Sequence, residues 1–156
     1  MRVEAESRRI TVAVGGQDGL HVFGDADLLT TAVRNLLDNA LRHSDPLSRV
    51  SVGVARDGDK VRIAVVDQGE GLSPEQQQRV FERFYRGDPA RARRTGGTGL
   101  GLSIVKHVAA DHGGEAEVWS KPGAGSTFTL VLPLADPPTT SSSTDPTATT
   151  GAATQP

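Results

Sequence analysis

Between Leu28 and Leu41 the apolar residues Leu28, Leu29, Ala32, Val33, Leu36, Leu37, Ala40 and Leu41 recur at spacings of three and four. That period predicts a helix with one buried face, opened by Asp25 as an N-cap and stopped by Asp45-Pro46. Elsewhere the period is two. Arg9 to Val14 places Ile10, Val12 and Val14 on one side, and Leu20 to Phe23 follows the turn Gly15-Gly16-Gln17-Asp18-Gly19, which predicts two strands joined as a hairpin. Val50, Val52 and Val54, then Val61, Ile63 and Val65 across the Arg56-Asp57-Gly58-Asp59 turn, predict a second hairpin. Glu115 to Ser120 and Ser126 to Leu132 flank Lys121-Pro122-Gly123-Ala124-Gly125 and predict a third, with Phe128, Leu130 and Leu132 alternating. Ser73-Pro74-Glu75 opens a short helix through Val80, with proline at its first position, and another helix runs from near Gly99 to Gly113-Gly114. Locally paired strands covered on one side by a few helices predict a two-layer α/β sandwich, not a parallel doubly wound sheet.

Composition sets the limits of that picture. The 156 residues suffice for one core, expected over residues 9–134. From Ala135 the chain turns to Pro, Thr, Ser and Ala with no large apolar residue after Leu134, so residues 135–156 are expected to be a disordered tail. Gly87 to Gly97 is a flexible loop rich in arginine. A formal net charge of −2 gives no basic footprint, which argues against a nucleic-acid partner. Without cysteine there is neither a disulfide framework nor a thiolate metal site. The charged start, Met1 to Arg9, and the lack of any run of ~18 apolar residues argue against a signal peptide, a transmembrane helix or membrane contact.

Four short segments carry candidate chemistry: Asn35-Leu36-Leu37-Asp38-Asn39, Asp67-Gln68-Gly69-Glu70-Gly71, Phe81 to Arg86, and Gly96 to Leu102. Asn35, Asn39 and Arg42 lie at i, i+4 and i+7, so they share the polar side of a helix whose other face is apolar. Asparagine is a mediocre helix residue, and its amide oxygen is a hard, neutral ligand suited to Mg²⁺; Asn39 is the expected metal ligand. A merely solvated polar face is the bland alternative for that segment taken alone. Asp67 ends a β-branched strand, and its carboxylate accepts only, so it can receive the adenine amino group but not the guanine carbonyl. Asp-x-Gly in isolation more often means an Asx turn.

Gly96, Gly97, Gly99 and Gly101 lead straight into a helix and aim free N–H groups at an anion, for which phosphate is the natural occupant. The loop is not of the Walker type, since Leu102 stands where lysine is required, nor a dinucleotide fingerprint, since Leu102 or Ile104 stands at the final glycine. A flexible linker is its plain alternative. Phe81 and Phe84, three apart, read as apolar anchors at the hinge of the following loop. Arg86 is expected on phosphate, whereas Arg91, Arg93 and Arg94 read as a solvated run. Tyr85 and Trp119 read as packing residues. Of the histidines only His43 adjoins the site; His21, His107 and His112 read as surface or packing residues.

These four segments, in this order, resemble the N box, first glycine box, F box and second glycine box of the ATP-binding domain of sensor histidine kinases in two-component signalling. That domain lies within a wider superfamily that includes gyrase and heat-shock chaperones. The resemblance spans roughly residues 9–134. It implies a Bergerat-type two-layer sandwich, with a mixed, largely antiparallel sheet packed by about three helices, a mobile ATP lid over residues 86–98, and ATP and Mg²⁺ as ligands. By the same carry-over Asn35 and Asn39 serve the metal and phosphates, Arg42 a phosphate, and His43 the nucleoside. Asp67 takes the adenine amine, Gly69 and Gly71 form the adenine pocket, and Gly97, Gly99 and Gly101 hold phosphates, with Thr98, Leu100 and Leu102 completing the loop. Asn35, Asn39 and Arg86 are the implied catalytic residues.

One position separates the superfamily's branches. Gyrase-type and chaperone-type members place a glutamate four residues before the metal-binding asparagine to activate water; here that position is Asn35, and an amide is no base at neutral pH. This favours transfer to an outside nucleophile. The phosphoacceptor is missing, however, because no His-Glu or His-Asp pair occurs. The resemblance therefore implies a catalytic piece, with residues 1–8 as linker from a dimerisation hairpin. Its implied partners are a histidine-bearing dimerisation domain of the same or a partner kinase and a downstream response regulator. The isolated chain is expected to be a monomer and cytoplasmic, as the cytoplasmic part of a longer membrane-anchored sensor, a reading favoured over a free-standing subunit acting in trans. The alternatives are a gyrase-like ATPase or chaperone-like clamp, and an anti-sigma-type serine kinase.

Overall fold

The long apolar period forms its helix. In the computed structural model, which describes residues 2–87 and 97–139, α2 runs Ala26–His43, and the Asp25 side chain caps it by accepting from the Asp27 and Leu28 N–H groups. It buries Ala32, Leu36, Ala40 and Leu41 against the sheet and a second long helix. Before it come α1 (Arg2–Arg8) and β1 (Thr11–Gly16); after it come β2 (Arg49–Asp57), β3 (Lys60–Asp67) and α3 (Pro74–Arg79). The chain closes with α4 (Gly101–Asp111), β4 (Glu115–Lys121) and β5 (Gly125–Pro133). Helix α3 carries a reciprocal capping box between Ser73 and Gln76, with Pro74 at its start.

The five strands form one sheet in the order β1-β2-β3-β5-β4. Only β1 and β2 are parallel; the other three pairs are antiparallel. The β2–β3 and β4–β5 hairpins turn at Gly58 and Gly123, as their turn residues predict. Val50, Val65, Phe128, Leu130 and Leu132 point to one face and form the core with Leu36, Leu41, Val105 and Val108 of α2 and α4. The expected two-layer sandwich is therefore present, its sheet mixed and largely antiparallel. Two helices do most of the covering, while the short α1 and α3 sit at its margins. On the other face of the sheet Val66 and Trp119 are exposed, whereas Thr129 and Val131 are buried.

Three expectations need correction. Residues 20–23 are not the second arm of a hairpin, because β1 takes β2 as its partner instead. Gln17 reinforces that choice: its N–H donates to the Val54 carbonyl at 2.8 Å and its side chain accepts from Arg56 N–H, steering the chain along β2. His21 keeps one isolated bridge, to Ala135, so ordered pairing extends one residue past Leu134. Trp119 is 63% exposed, since its register places it on the face away from the core, and it is no packing residue. The stretch expected as linker, residues 1–8, contains helix α1, a conformation that a linker from a helical hairpin can adopt.

His112 does more than fill space. Its Nε2 accepts the Asp25 N–H at 3.1 Å and its Nδ1 lies 2.7 Å from the Val108 carbonyl, so Nδ1 carries the proton. The ring thereby ties the end of α4 to the start of α2. Residues 88–96 and 140–156 lie outside the described residues, and with them Gly96, Arg91, Arg93, Arg94, most of the expected lid and most of the expected tail.

Candidate functional site

Helices α2 and α4, the segment after β3 and the start of β5 enclose a cleft of about 570 Å³. Its wall contains Asn35, Asn39, Arg42 and His43 from α2, Asp67 and Gly71 from the end of β3 and its loop, and Arg86, Gly97, Thr98, Gly99, Leu100, Gly101 and Leu102 around the start of α4. The four segments thus converge on one cavity. Of the expected ligand-binding residues that are described, Gly69 does not line it. Instead its N–H donates to Asp67 Oδ1 at 2.9 Å, so it fixes the carboxylate from behind.

Asp67 is 3% exposed. Burial raises its pKa above the ordinary carboxylate range, and backbone N–H groups of Gly69 and Ser126 partly offset that effect. An ionised carboxylate has about four acceptor sites, so two backbone donors leave capacity for a ligand's donor. Asn35 shows the converse. Its Nδ2 is buried and, among the described residues, has no hydrogen-bond partner, a costly arrangement that a ligand acceptor in the cleft would relieve.

The start of α4 is open to an anion. Leu100 is its N-cap, makes no side-chain capping bond, and no acidic residue occupies the first turn. Its leading N–H groups are therefore available to an outside acceptor. Gly99, at φ 72°, holds the loop against residue 84: its carbonyl accepts the Phe84 N–H at 2.9 Å, and a Cβ on Gly99 would lie 2.9 Å from the Phe84 Cα. Only glycine fits there.

That contact revises the reading of the two phenylalanines. Phe81 is an anchor, packed against the core and edge-on to Phe128 with ring centroids 6.1 Å apart. Phe84 is 67% exposed, because its φ of 62° turns it away from the face Phe81 occupies. It holds the two chain segments together through its backbone. Tyr85, expected as packing, lines the cleft with the Arg79 guanidinium 4.7 Å over its ring.

Sequence reasoning missed Asp38, Glu70, Leu72, Gln76, Val80, Gly87, Ile104, Ser126 and Phe128, all in the cleft wall. Ser126 had no local signal, since the β4–β5 turn pairs it with Ser120 and only the long-range β3–β5 ladder sets it opposite Asp67. A buried network supports that corner. Ser120 Oγ contacts Ser126 Oγ at 2.8 Å, accepts the Leu72 N–H at 2.7 Å, and donates to the Gly125 carbonyl. The Gln77 side chain in turn pairs with the Ser120 backbone through both its amide atoms.

Residues 24–136 match the family described as histidine kinase-, DNA gyrase B-, and HSP90-like ATPase. The chain belongs to that ATPase family. Among its curated relatives, the sensor-like histidine kinase SenX3 of Mycobacterium tuberculosis is 55% identical over 132 residues, covering 85% of this chain and 32% of that protein. The sensor histidine kinase MtrB of Mycobacterium leprae is 46% identical over 110 residues, which is 70% of this chain and 19% of that one. The chain thus spans about a third of the length of SenX3 and less of MtrB. Among solved structures, the mycobacterial sensor histidine kinase MprB superposes with a TM-score of 0.71 at 37% identity, covering 85% of this chain and 87% of that one. Full-length ShkA in complex with AMPPNP gives 0.74 at 30% identity, covering 85% of this chain and 27% of that one. Within the ATPase family the likeness is to the histidine kinase branch of two-component systems, and the fold is of the Bergerat type. Among the described residues no helix is long and apolar enough to cross a membrane.

Proposed function

We infer that the chain binds Mg²⁺-ATP and transfers the γ-phosphoryl group to a histidine on a separate dimerisation domain, as the catalytic part of a sensor histidine kinase in the cytoplasm. The observation that carries this reading is the polarity of the cleft. A buried acceptor, Asp67, lies at one wall, and at another lie Asn35 Nδ2, without a partner among the described residues, and the start of α4, which no side chain of its N-cap closes. An adenine amine suits the first and phosphate oxygens suit the second.

In this reading Asp67 receives the adenine amino group, with Gly69 and Gly71 shaping the pocket, and His43 lies beside the nucleoside. Arg42, Arg86, Gly97, Gly99 and Gly101 meet the phosphates. Among the described residues no three His, Asp or Glu side chains cluster as a metal site, so Asn39 Oδ1, with Asn35 nearby, would hold Mg²⁺ alongside phosphate oxygens. When bound, Mg²⁺ neutralises charge on the phosphates. The chain itself positions the nucleotide and supplies donors to the transferring group. A histidine nitrogen of the acceptor bonds to the γ-phosphorus as the bond to the bridging oxygen breaks and ADP leaves. The acceptor domain and a downstream response regulator are the partners this requires.

The rival reading is hydrolysis by the chain alone, and Asp38 and Glu70 favour it, since both carboxylates line the cleft. Against it stands Asn35 at the position where hydrolytic relatives need a base. The test mixes the chain with γ-labelled ATP and Mg²⁺, with and without a histidine-bearing dimerisation domain from a related kinase. Acid-labile, base-stable label on the added domain alone supports transfer. Steady phosphate release without it supports hydrolysis, and acid-stable label on an acceptor serine would point to a serine kinase.

A further inference from the structure

Helix α2 ends in a turn that its own sequence cannot close. The Arg42 carbonyl would normally accept from residue 46, which is Pro46 and has no N–H. Ser44, the C-cap, is extended at ψ 147°, so the chain leaves the helix at once. A last turn left with open carbonyls frays readily. Yet this turn carries Arg42 and His43 into the cleft.

Arg8, in the last turn of α1, supplies the missing donors. Its Nη1 donates to the Leu41 carbonyl at 2.8 Å and to the Arg42 carbonyl at 3.2 Å, and its Nη2 donates to the Ser44 carbonyl at 2.6 Å. The planar fork suits adjacent carbonyls, and its charge opposes the negative end of the helix. The backbone answers in kind, with Leu47 N–H donating to the Arg8 carbonyl at 3.1 Å. On the cleft side the same turn is packed tightly. A Cβ on Gly97 would lie 2.0 Å from Arg42 Nη1, and one on Gly69, which holds Asp67, would lie 2.3 Å from the His43 carbonyl.

We propose that Arg8 is a positioning residue for nucleotide: it locks the last turn of α2 so that Arg42 and His43 face the cleft, and so couples the placement of α1 to nucleotide affinity. Arg8 acts through that turn and not by touching ligand. This rests on the nucleotide reading above.

The test is a double-mutant cycle in the full chain, with melting curves on every variant, reading the dissociation constant of a fluorescent non-hydrolysable ATP analogue in Mg²⁺. Arg8→Gln weakens binding about tenfold, the scale of one charge-assisted contact. Arg8→Lys, which keeps the charge and reaches one carbonyl, recovers part of that loss and serves if the glutamine variant does not fold. In an Arg42→Ala background, Arg8→Gln adds less than about twofold, because the group it positions is gone. Equal losses in both backgrounds, or unchanged affinity in folded Arg8→Gln and Arg8→Lys, overturn the inference while wild-type binding leaves the nucleotide reading standing. Absence of wild-type binding overturns both.

Discussion

Replacing Asp67 by asparagine separates what the residue does for the ligand from what it costs the fold. The side chain is nearly sealed from water, and burial raises its pKa. Asparagine keeps the volume and one oxygen able to accept the Gly69 N–H, but turns the other acceptor into a donor. An adenine amine would then face N–H against N–H. A hydrogen bond to a charged acceptor contributes about 1.5–3 kcal/mol, so the ATP analogue should bind roughly 10- to 100-fold more weakly. The ligand-free protein should respond in the opposite direction. With the folded pKa above the unfolded one, the native state holds more protons between the two values, so stability falls as pH rises through that window. Above it, ionised Asp67 is a constant cost that asparagine removes. The variant should melt higher than wild type at neutral pH and lose that slope. Analogue affinity for wild type should itself weaken as pH falls through the raised pKa, since a protonated carboxyl gives up an acceptor. Calorimetric titration and thermal melts from pH 4 to 8 check each part. Unchanged affinity, or a lower melting temperature with the slope intact, would refute the assignment.

Other perturbations probe different parts of the cleft. Asn39→Ala should weaken Mg²⁺-dependent ATP binding more than metal-free adenosine binding, and equal losses in paired titrations would count against a metal role. Ser120→Ala strands the Leu72 N–H and should lower stability by about 1–3 kcal/mol in urea unfolding. Gly71 sits at φ 74°, and a Cβ there would lie 2.1 Å from the Lys121 carbonyl. Gly71→Ala should therefore cost more than the roughly 1–2 kcal/mol of a left-handed alanine and should shift the nucleotide signals in a titration. Leu36→Ala removes a fully buried side chain between sheet and helices and should cost about 2–5 kcal/mol by the same unfolding assay.

What could be read from the sequence was what short-range physics controls. Helix α2 has an apolar stripe and a cap, and the β2–β3 and β4–β5 hairpins have glycine turns, so each is specified within about twenty residues. The β1–β2 pair is not. Thr11 meets Arg49 across a helix, and no local signal distinguishes that parallel partner from the nearer Leu20–Phe23 run. Helix α1 escaped notice because RVEAESR offers no apolar stripe; Ala5 packs it against the core and Arg8 ties it to the end of α2. The site follows the same division. Asn35, Asn39 and Arg42 share a face by helical period alone, whereas Phe128 reads as core and is both core and cleft wall.

The distribution of charge explains why the missed residues matter less for binding than for shape. Leu72, Val80, Ile104 and Phe128 give the cleft apolar walls, and such walls lower the local dielectric around the few polar groups that remain. Asp67 is held by the backbone N–H groups of Gly69 and Ser126, and these two donors leave its carboxylate with acceptor capacity for a ligand. Arg42, by contrast, has its main chain held by Arg8 and its guanidinium set against Gly97 at the loop leading into α4. Arginine and helix start therefore add their positive fields at one wall, and the carboxylate stands apart from them at another. A ligand matched to both must carry a donor at one end and several negative oxygens at the other. Adenosine alone would satisfy the first wall and leave Asn35 Nδ2 buried without a partner, whereas inorganic phosphate would leave Asp67 buried and desolvated. Each fragment should bind far more weakly than the sum of its contacts suggests, and the intact nucleotide should gain from their linkage. Competition titrations with adenosine, triphosphate and their mixture against the ATP analogue measure that gain directly. If the mixture displaced the analogue as well as ATP does, the two walls would act independently and the polarity argument would fail.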